Sequence, residues 1–228
     1  MSALAGEVAE AGLADRIFDE RQLDRILGGG DARRYALVNR ALKDGSLIRL
    51  KRGIYMLDPR YRSEAIHPFA MAQAFLPGSY VSLESALSFH GWIPEAVFTT
   101  ASVSPGRKSI TQDTPSLGRF TFHPLAIHDY RFLAHVERVR LGKLIAFVAV
   151  PLRALMDLVA LRKERWSGLD WLTAGMRIEE SRLHSLERKN FAALRPVYKH
   201  RAANEFLQSL EHAILSTNGA RKGRGSDD

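Results

Sequence analysis

Arg33, Ala36, Asn39, Arg40 and Lys43 share one side of an amphipathic stretch, and Lys51-Arg52-Gly53 follows at a bend a few residues on. At about 100° per residue, Tyr35, Val38, Ala41 and Leu42 form an apolar stripe with the polar set turned away from it. Guanidinium groups match guanine O6 and N7, the Asn39 amide matches adenine N6 and N7, and a residue as small as Ala36 admits a base edge or a thymine methyl. Those are the requirements for reading a DNA major groove. Lys51 and Arg52 at the hairpin bend have no apolar face to cover and suit phosphates or the minor groove, and Arg49 of the same hairpin is counted with them as DNA-binding. Arg34 falls on the core side of the same count and is assigned no base, although the helix start leaves it within reach of a phosphate.

These side chains need a helix followed closely by a ribbon. Asp19 precedes residues 20–27 as an N-cap with Gln22 three residues on, and glycines 28–30 end that helix. Asp31 reads as the cap of a further helix over 32–44, stopped by Gly45. Leu4, Val8, Ala11 and Leu13 precede both with loosely helical spacing. Beyond Gly45 the period changes to two, and residues 47–50 and 54–57 read as a hairpin with a basic tip. Three helices and a ribbon is the order of a winged helix-turn-helix, in which the third helix enters the major groove and the ribbon touches the backbone.

Asp58-Pro59 through Ile66-His67-Pro68 reads as a connector, which sets a boundary near residue 64. Beyond it, helical patterns are expected at 69–75 and 82–91, and strands at 80–81, 98–103, 119–123 and 143–150. Pro151 suits the first turn of a helix to Lys163, and further helical patterns cover 169–176, 179–191 and 201–215. The fold class expected is α+β: an N-terminal winged helix-turn-helix over 1–63, then a mostly antiparallel sheet domain with C-terminal helices over 64–215. Residues 216–228, rich in Gly, Ser and charge, are expected to form a disordered tail.

A chain of 228 residues, 46% hydrophobic and 25% charged, is bounded to one or two folded domains. Its formal net charge of +8 favours an anionic partner. Residues 1–30 carry −3 and residues 31–62 carry +6, so the surplus coincides with the helix and hairpin above. A run of this kind is most often a solvated face; the agreement of charge, helix phase and hairpin tip is what favours double-stranded DNA. A second surplus of +5 over 131–165 holds Arg138, Arg140, Lys143 and Arg153, which suit either further backbone contact or a protein partner. No apolar run approaches the roughly 20 residues of a membrane span, so no membrane partner is expected. The first ten residues do not read as a secretion leader, and the absence of cysteine excludes disulfides and thiolate sites, which together fit a cytoplasmic protein.

No catalytic constellation, metal site or cofactor motif is read. His123 and His128 are five apart across Pro124, not at ligand spacing. Ser82, Ser85 and His90 share a helix without a nucleophile elbow or an acid. Glu187-Arg188-Lys189 resembles the Glu-x-Lys element of some nucleases, yet it sits in a helical pattern without the upstream strand Asp. The alternatives to DNA binding are a protein-docking adaptor and, more remotely, a nuclease or hydrolase built on the second domain.

Three motifs occur in succession: residues 47–57 (LIRLKRGIYML), 80–91 (YVSLESALSFHG) and 149–158 (AVPLRALMDL). Their order resembles the AbiEi-type antitoxins of bacterial abortive-infection systems, over roughly residues 15–165. The resemblance implies a winged helix that binds inverted repeats in its own promoter as a repressor. It also implies a C-terminal domain that counteracts a nucleotidyltransferase-like toxin encoded beside it, without necessarily binding it stably. Where that family commonly has Glu-Lys after the proline, this chain has Leu152-Arg153. The expected state on DNA is a monomer or weak dimer.

Overall fold

The computed structural model describes residues 2–114 and 117–223, with side chains described to residue 216. The chain divides into two compact units: Met1–Pro77 with Val139–Ala146, and Gly78–Arg138 with Phe147–Asp228. The division thus falls after Pro77 and not near residue 64.

The first unit holds α1 (Ala3–Glu10), β1 (Phe18–Asp19), α2 (Glu20–Leu27), α3 (Asp31–Lys43), β2 (Leu47–Lys51), β3 (Ile54–Leu57) and α4 (Pro68–Phe75). Helix α2 starts in a capping box. The Asp19 carboxylate accepts from the Gln22 amide at 2.8 Å, and the Gln22 side chain accepts from the Asp19 amide at 2.9 Å. Helix α3 begins one residue earlier than its sequence suggests: Gly30 is the N-cap, and Asp31 lies in the first turn. Strands β2 and β3 form the expected hairpin, irregular between Arg49 and Lys51, and β1 adds to β3 through Phe18 opposite Tyr55, giving the order β1-β3-β2. Leu4 and Val8 of α1, Leu23 and Leu27 of α2, Ala41 of α3 and Leu47, Tyr55 and Leu57 of the hairpin enclose one apolar core, with Leu37, Val38 and Leu42 packed against it.

Helix α4 belongs to this unit because it packs on β2, and the Lys51 ammonium donates to the carbonyl of Phe75 at its C-terminus at 2.8 Å. Residues 139–146 belong to it through Asp15. The Lys143 ammonium lies 2.6 Å from one Asp15 oxygen, and the Ser63 amide and hydroxyl each donate to that carboxylate at 2.6 Å.

The second unit holds β4 (Tyr80–Val81), α5 (Leu83–Phe89), β5 (Thr99–Ser104), β6 (Ile110–Thr114), β7 (Gly118–Pro124), β8 (Val136–Leu141), β9 (Leu144–Ala149), α6 (Pro151–Arg162), α7 (Glu180–His184), α8 (Arg188–Leu194) and α9 (Arg201–Gly223), with the outer parts of β8 and β9 grouped in the first unit. The sheet order is β6-β7-β5-β4-β9-β8. It is a mixed sheet, not a mostly antiparallel one: β5 runs parallel to β7 and β4 parallel to β9, while β4–β5 and β6–β7 are antiparallel. The reason is topological, since β7 returns from the edge strand β6 into the place between β6 and β5. Helix α6 packs against α5 and α9, and its apolar residues are buried almost without interruption from Leu152 to Val159.

The pattern expected over 179–191 is broken into α7 and α8, with Glu187 and Asn190 forming a capping box at the start of α8. Helix α9 continues to Gly223, past residue 216 where a disordered tail was expected, because extending a packed helix requires no new nucleation. Residues 224–228 of that expected tail lie outside the described residues. Among the described residues, no helix is long and apolar enough to cross a membrane.

Asp15 is 7% exposed, and the Lys143 ammonium, then the Ser63 hydroxyl, hold its carboxyl well below the usual carboxylate range. A carboxyl depressed in the folded state stabilises above its unfolded pKa of about 3.9, and that contribution is lost as pH falls through the lower folded value. Asp15→Asn is therefore expected to lower stability at neutral pH and flatten its loss between about pH 5 and pH 2. Urea denaturation across that range reads the effect; an unchanged acid limb would exclude Asp15 as a contributor.

Candidate nucleic-acid interface

Helix α3 reaches its place through the turn at Gly28–Gly30, where Gly28 and Gly29 take φ of 55° and 72°, a left-handed conformation that glycine adopts without strain. The two arginines of its first turn face back across that turn. Arg33 donates to the carbonyl of Leu27 and, at 3.5 Å, to that of Gly28, and lies 3.8 Å from Glu7. Arg34 is held between Asp24 at 2.8 Å, paired without hydrogen-bond alignment, and Asp31 at 3.1 Å; its side chain is 22% exposed. Arg33, expected to face a base, is thus engaged at the C-terminal carbonyls of α2.

With those two residues turned back toward α2, the rise of the helix sets the rest. Ala32, Ala36, Asn39, Arg40 and Lys43 are all exposed, and Ala41 is buried. Tyr35 departs from the expected apolar stripe: it is 72% exposed, and Leu37 takes its place against the core. The difference is one of phase, because the buried sector centres on Leu37, Ala41 and Arg34 and leaves Tyr35 at its margin.

Between α3 and the hairpin runs a groove of about 800 Å³, lined on the helix side by Asp31, Arg34, Tyr35, Val38 and Asn39 and on the hairpin side by Arg49, Arg52, Gly53 and Tyr55. Glu20 and Leu23 of α2 also line it. The Arg49 guanidinium stands 5.7 Å from the Tyr55 ring centre, a distance that favours cation–π attraction and stiffens the side chain. Arg52 is exposed at the hairpin turn. Lys51 is not available in the same way, since its ammonium closes the end of α4.

Cations in this region therefore fall into two groups. Arg33, Arg34 and Lys51 are hydrogen-bonded or ion-paired within the unit, as is Arg60, whose Nε lies 2.7 Å from Asp58. Among the described residues, no carboxylate lies within ion-pair distance of Arg40, Lys43, Arg49 or Arg52. Arg49 and Arg52, with Asn39 and Tyr35, line one groove, and Arg40 and Lys43 are exposed on the same helix as Asn39 and Tyr35.

The residues expected to form a protein-facing patch do not all reach the surface. Arg138 and Arg140 are exposed on the edge strand β8. Lys143 is half exposed and holds Asp15. Arg153 does not lie on a surface at all: its side chain is 0% exposed. Its Nε donates to Asp157 at 2.9 Å, its guanidinium donates to the Ala134 carbonyl at 2.6 Å, and it also donates to the Tyr80 hydroxyl. Asp157 in turn accepts from Tyr80 at 3.0 Å, Ser82 at 2.7 Å and Tyr198 at 2.8 Å. Burial pushes both phenols above their ordinary pKa, and the Asp157 charge adds to it. Burial opposes the guanidinium charge, but Asp157 and the tyrosines outweigh it, so Arg153 stays protonated. The four-residue spacing of Arg153 and Asp157 inside an otherwise apolar helix is the signal that identifies this pair in the sequence.

Among the described residues, no group of three or more His, Asp or Glu could hold a metal ion. Glu187, of the Glu-Arg-Lys triplet, caps α8 and pairs with Lys189 at 2.7 Å.

Removing one partner of a buried, hydrogen-bonded ion pair leaves the other charge unpaired, so Arg153→Ala is expected to destabilise the second unit by about 3–5 kcal/mol. The midpoint of chemical denaturation measures this, and a loss within the ordinary scatter of surface substitutions would contradict the burial.

Comparison of the chain with protein-family models and with curated proteins returned no match.

Proposed function

We propose that the first unit is a winged helix-turn-helix that binds double-stranded DNA, with α3 in the major groove and the β2–β3 hairpin against the adjacent backbone. The observation that carries this reading is the set of uncommitted cations, Arg40 and Lys43 on the outer face of α3 and Arg49 and Arg52 across the groove. A run of cations alone is most often a solvated face, but unpaired cations that share a helix with an amide and a small residue suit a phosphate backbone flanking a groove, where each cation paired releases a counterion. Arg40 and Asn39 are assigned to base edges, Lys43, Arg49 and Arg52 to phosphates, and Ala36 to close approach. Arg33 and Lys51 are assigned to holding the helix and hairpin in position.

The second unit is assigned the non-enzymatic role of an antitoxin domain. On the resemblance to AbiEi-type antitoxins, the whole protein is a cytoplasmic repressor of its own promoter and an antitoxin against a nucleotidyltransferase-like toxin encoded beside it. Growth rescue on co-expression with that toxin tests the second part, and a failure to rescue ends it without touching DNA binding.

For DNA binding the test is affinity at graded salt. Lys43→Ala with Arg52→Ala is expected to weaken all duplexes about equally and to reduce the slope of log affinity against log salt by about two. Arg40→Ala is expected to reduce discrimination between sequences, by about 1–3 kcal/mol for the preferred one. Affinities and slopes that stay at wild-type values in all three changes would falsify the assignment.

A further inference from the structure

Tyr35 has no role in the fold to account for its position. It stands 72% exposed in the second turn of α3, beside a core that Leu37, Val38 and Ala41 already fill. Its neighbours on the same face are Ala32 and Ala36, both exposed and too small to shield it, and Asn39 lies one turn further on. Tyr35 and Asn39 both line the groove, opposite Arg49 and Arg52. Residues four apart on a helix lie on one face, about 5–6 Å between their Cβ atoms, a reach of one to two base-pair steps along the groove floor.

Resting on the DNA-binding reading above, we infer that Tyr35 and Asn39 form a base-reading pair selective for A·T, with Asn39 bonding adenine N6 and N7 and the Tyr35 ring packing on the C5-methyl of a thymine in the same or the adjacent base pair. The chemistry fits both halves. An amide matches the donor and acceptor that adenine alone presents side by side in the major groove, and the thymine methyl is the one apolar group on that floor. An aromatic ring gains from covering a methyl group, and the alanines on either side leave the ring free to reach it. Arg49 and Arg52, anchored on phosphates, set the depth at which the helix sits. The preferred site therefore contains an A·T step at the centre of each α3 contact.

The test uses the full chain to select a preferred duplex from a random pool. Affinities are then measured for that duplex, for the same duplex with deoxyuridine at each thymine in turn, and for a scrambled duplex. Expected results are a selected site with a fixed A·T step, a drop of about 5- to 10-fold for Tyr35→Ala on the selected duplex only, and near wild-type affinity for Tyr35→Phe. One deoxyuridine replacement should weaken the wild type by a similar factor and have no further effect on Tyr35→Ala, the non-additivity expected of two groups in contact. The inference is overturned if Tyr35→Ala binds the selected duplex as the wild type does, or if Tyr35→Phe loses as much as Tyr35→Ala, which would put the hydroxyl on a phosphate. It is equally overturned if every deoxyuridine effect persists in Tyr35→Ala. In each of those cases the losses in Lys43→Ala with Arg52→Ala would remain; if they too vanish, DNA binding itself has failed.

Discussion

The placement of α3 depends on how the turn between α2 and α3 is held. Helix α2 ends with carbonyls that have no partner within the helix, and the glycines that follow give the chain freedom without giving it direction. Arg33 supplies that direction by donating to the Leu27 and Gly28 carbonyls, where the negative end of the helix dipole also favours its charge. Arg34 adds a second tie, to Asp24 of α2 and Asp31 of its own first turn. Once both guanidinium groups face backward, the helical period leaves no choice about the rest: Ala36, Asn39, Arg40 and Lys43 must face out, and Tyr35 must stand over the groove. The direction of the face proposed to meet DNA thus depends on two cations that reach back toward α2.

The same type of bond recurs wherever the chain has to be held at a distance from its own sequence neighbours. Lys51 ties the hairpin turn to the end of α4, Lys143 ties residues 139–146 to Asp15, and Arg153 joins α6 to the carbonyl of Ala134 and to Tyr80. In each case a long side chain carries a charge into a partly or fully buried position, where the bond is worth more than an exposed pair would be. Net charge therefore overstates what the protein offers a partner. Of the basic residues between 31 and 62, Arg33, Arg34, Lys51 and Arg60 have carbonyls or carboxylates to satisfy, and of those that remain Arg49 and Arg52 line one groove while Arg40 and Lys43 stand exposed on α3.

That division explains which parts of the molecule were legible in the sequence. Helix α2 and its cap, α3, the hairpin and α6 all follow from short-range signals: Asp19 with Gln22, Gly45, alternation after Leu47, and Pro151. The outward set on α3 followed from periodicity alone. The contacts of Arg33 and Lys51 have no local signal, because a basic residue on an exposed position looks the same whether it faces solvent or reaches back to a carbonyl several residues away. Tyr35 was placed with the core because an aromatic at the margin of an apolar stripe carries no mark of its exposure. Strands β6 and β8 were missed for a related reason. They lie at the two edges of the sheet, where polar residues such as those of Thr111–Asp113 and Glu137–Arg138 are tolerated and even useful against unwanted pairing, so hydrophobic alternation is weak. The parallel pairs in that sheet depend on the order in which distant strands return, which no local pattern encodes.

The most direct test of the account is the backbone amide spectrum of the full chain as a selected duplex is added. Shifts concentrated at Tyr35 to Lys43 and at Arg49 to Gly53, with Arg153 and its neighbours in α6 unmoved, are the predicted result. A duplex that binds while perturbing chiefly β8 or the helices of the second unit, leaving α3 and the hairpin at their free positions, would contradict it.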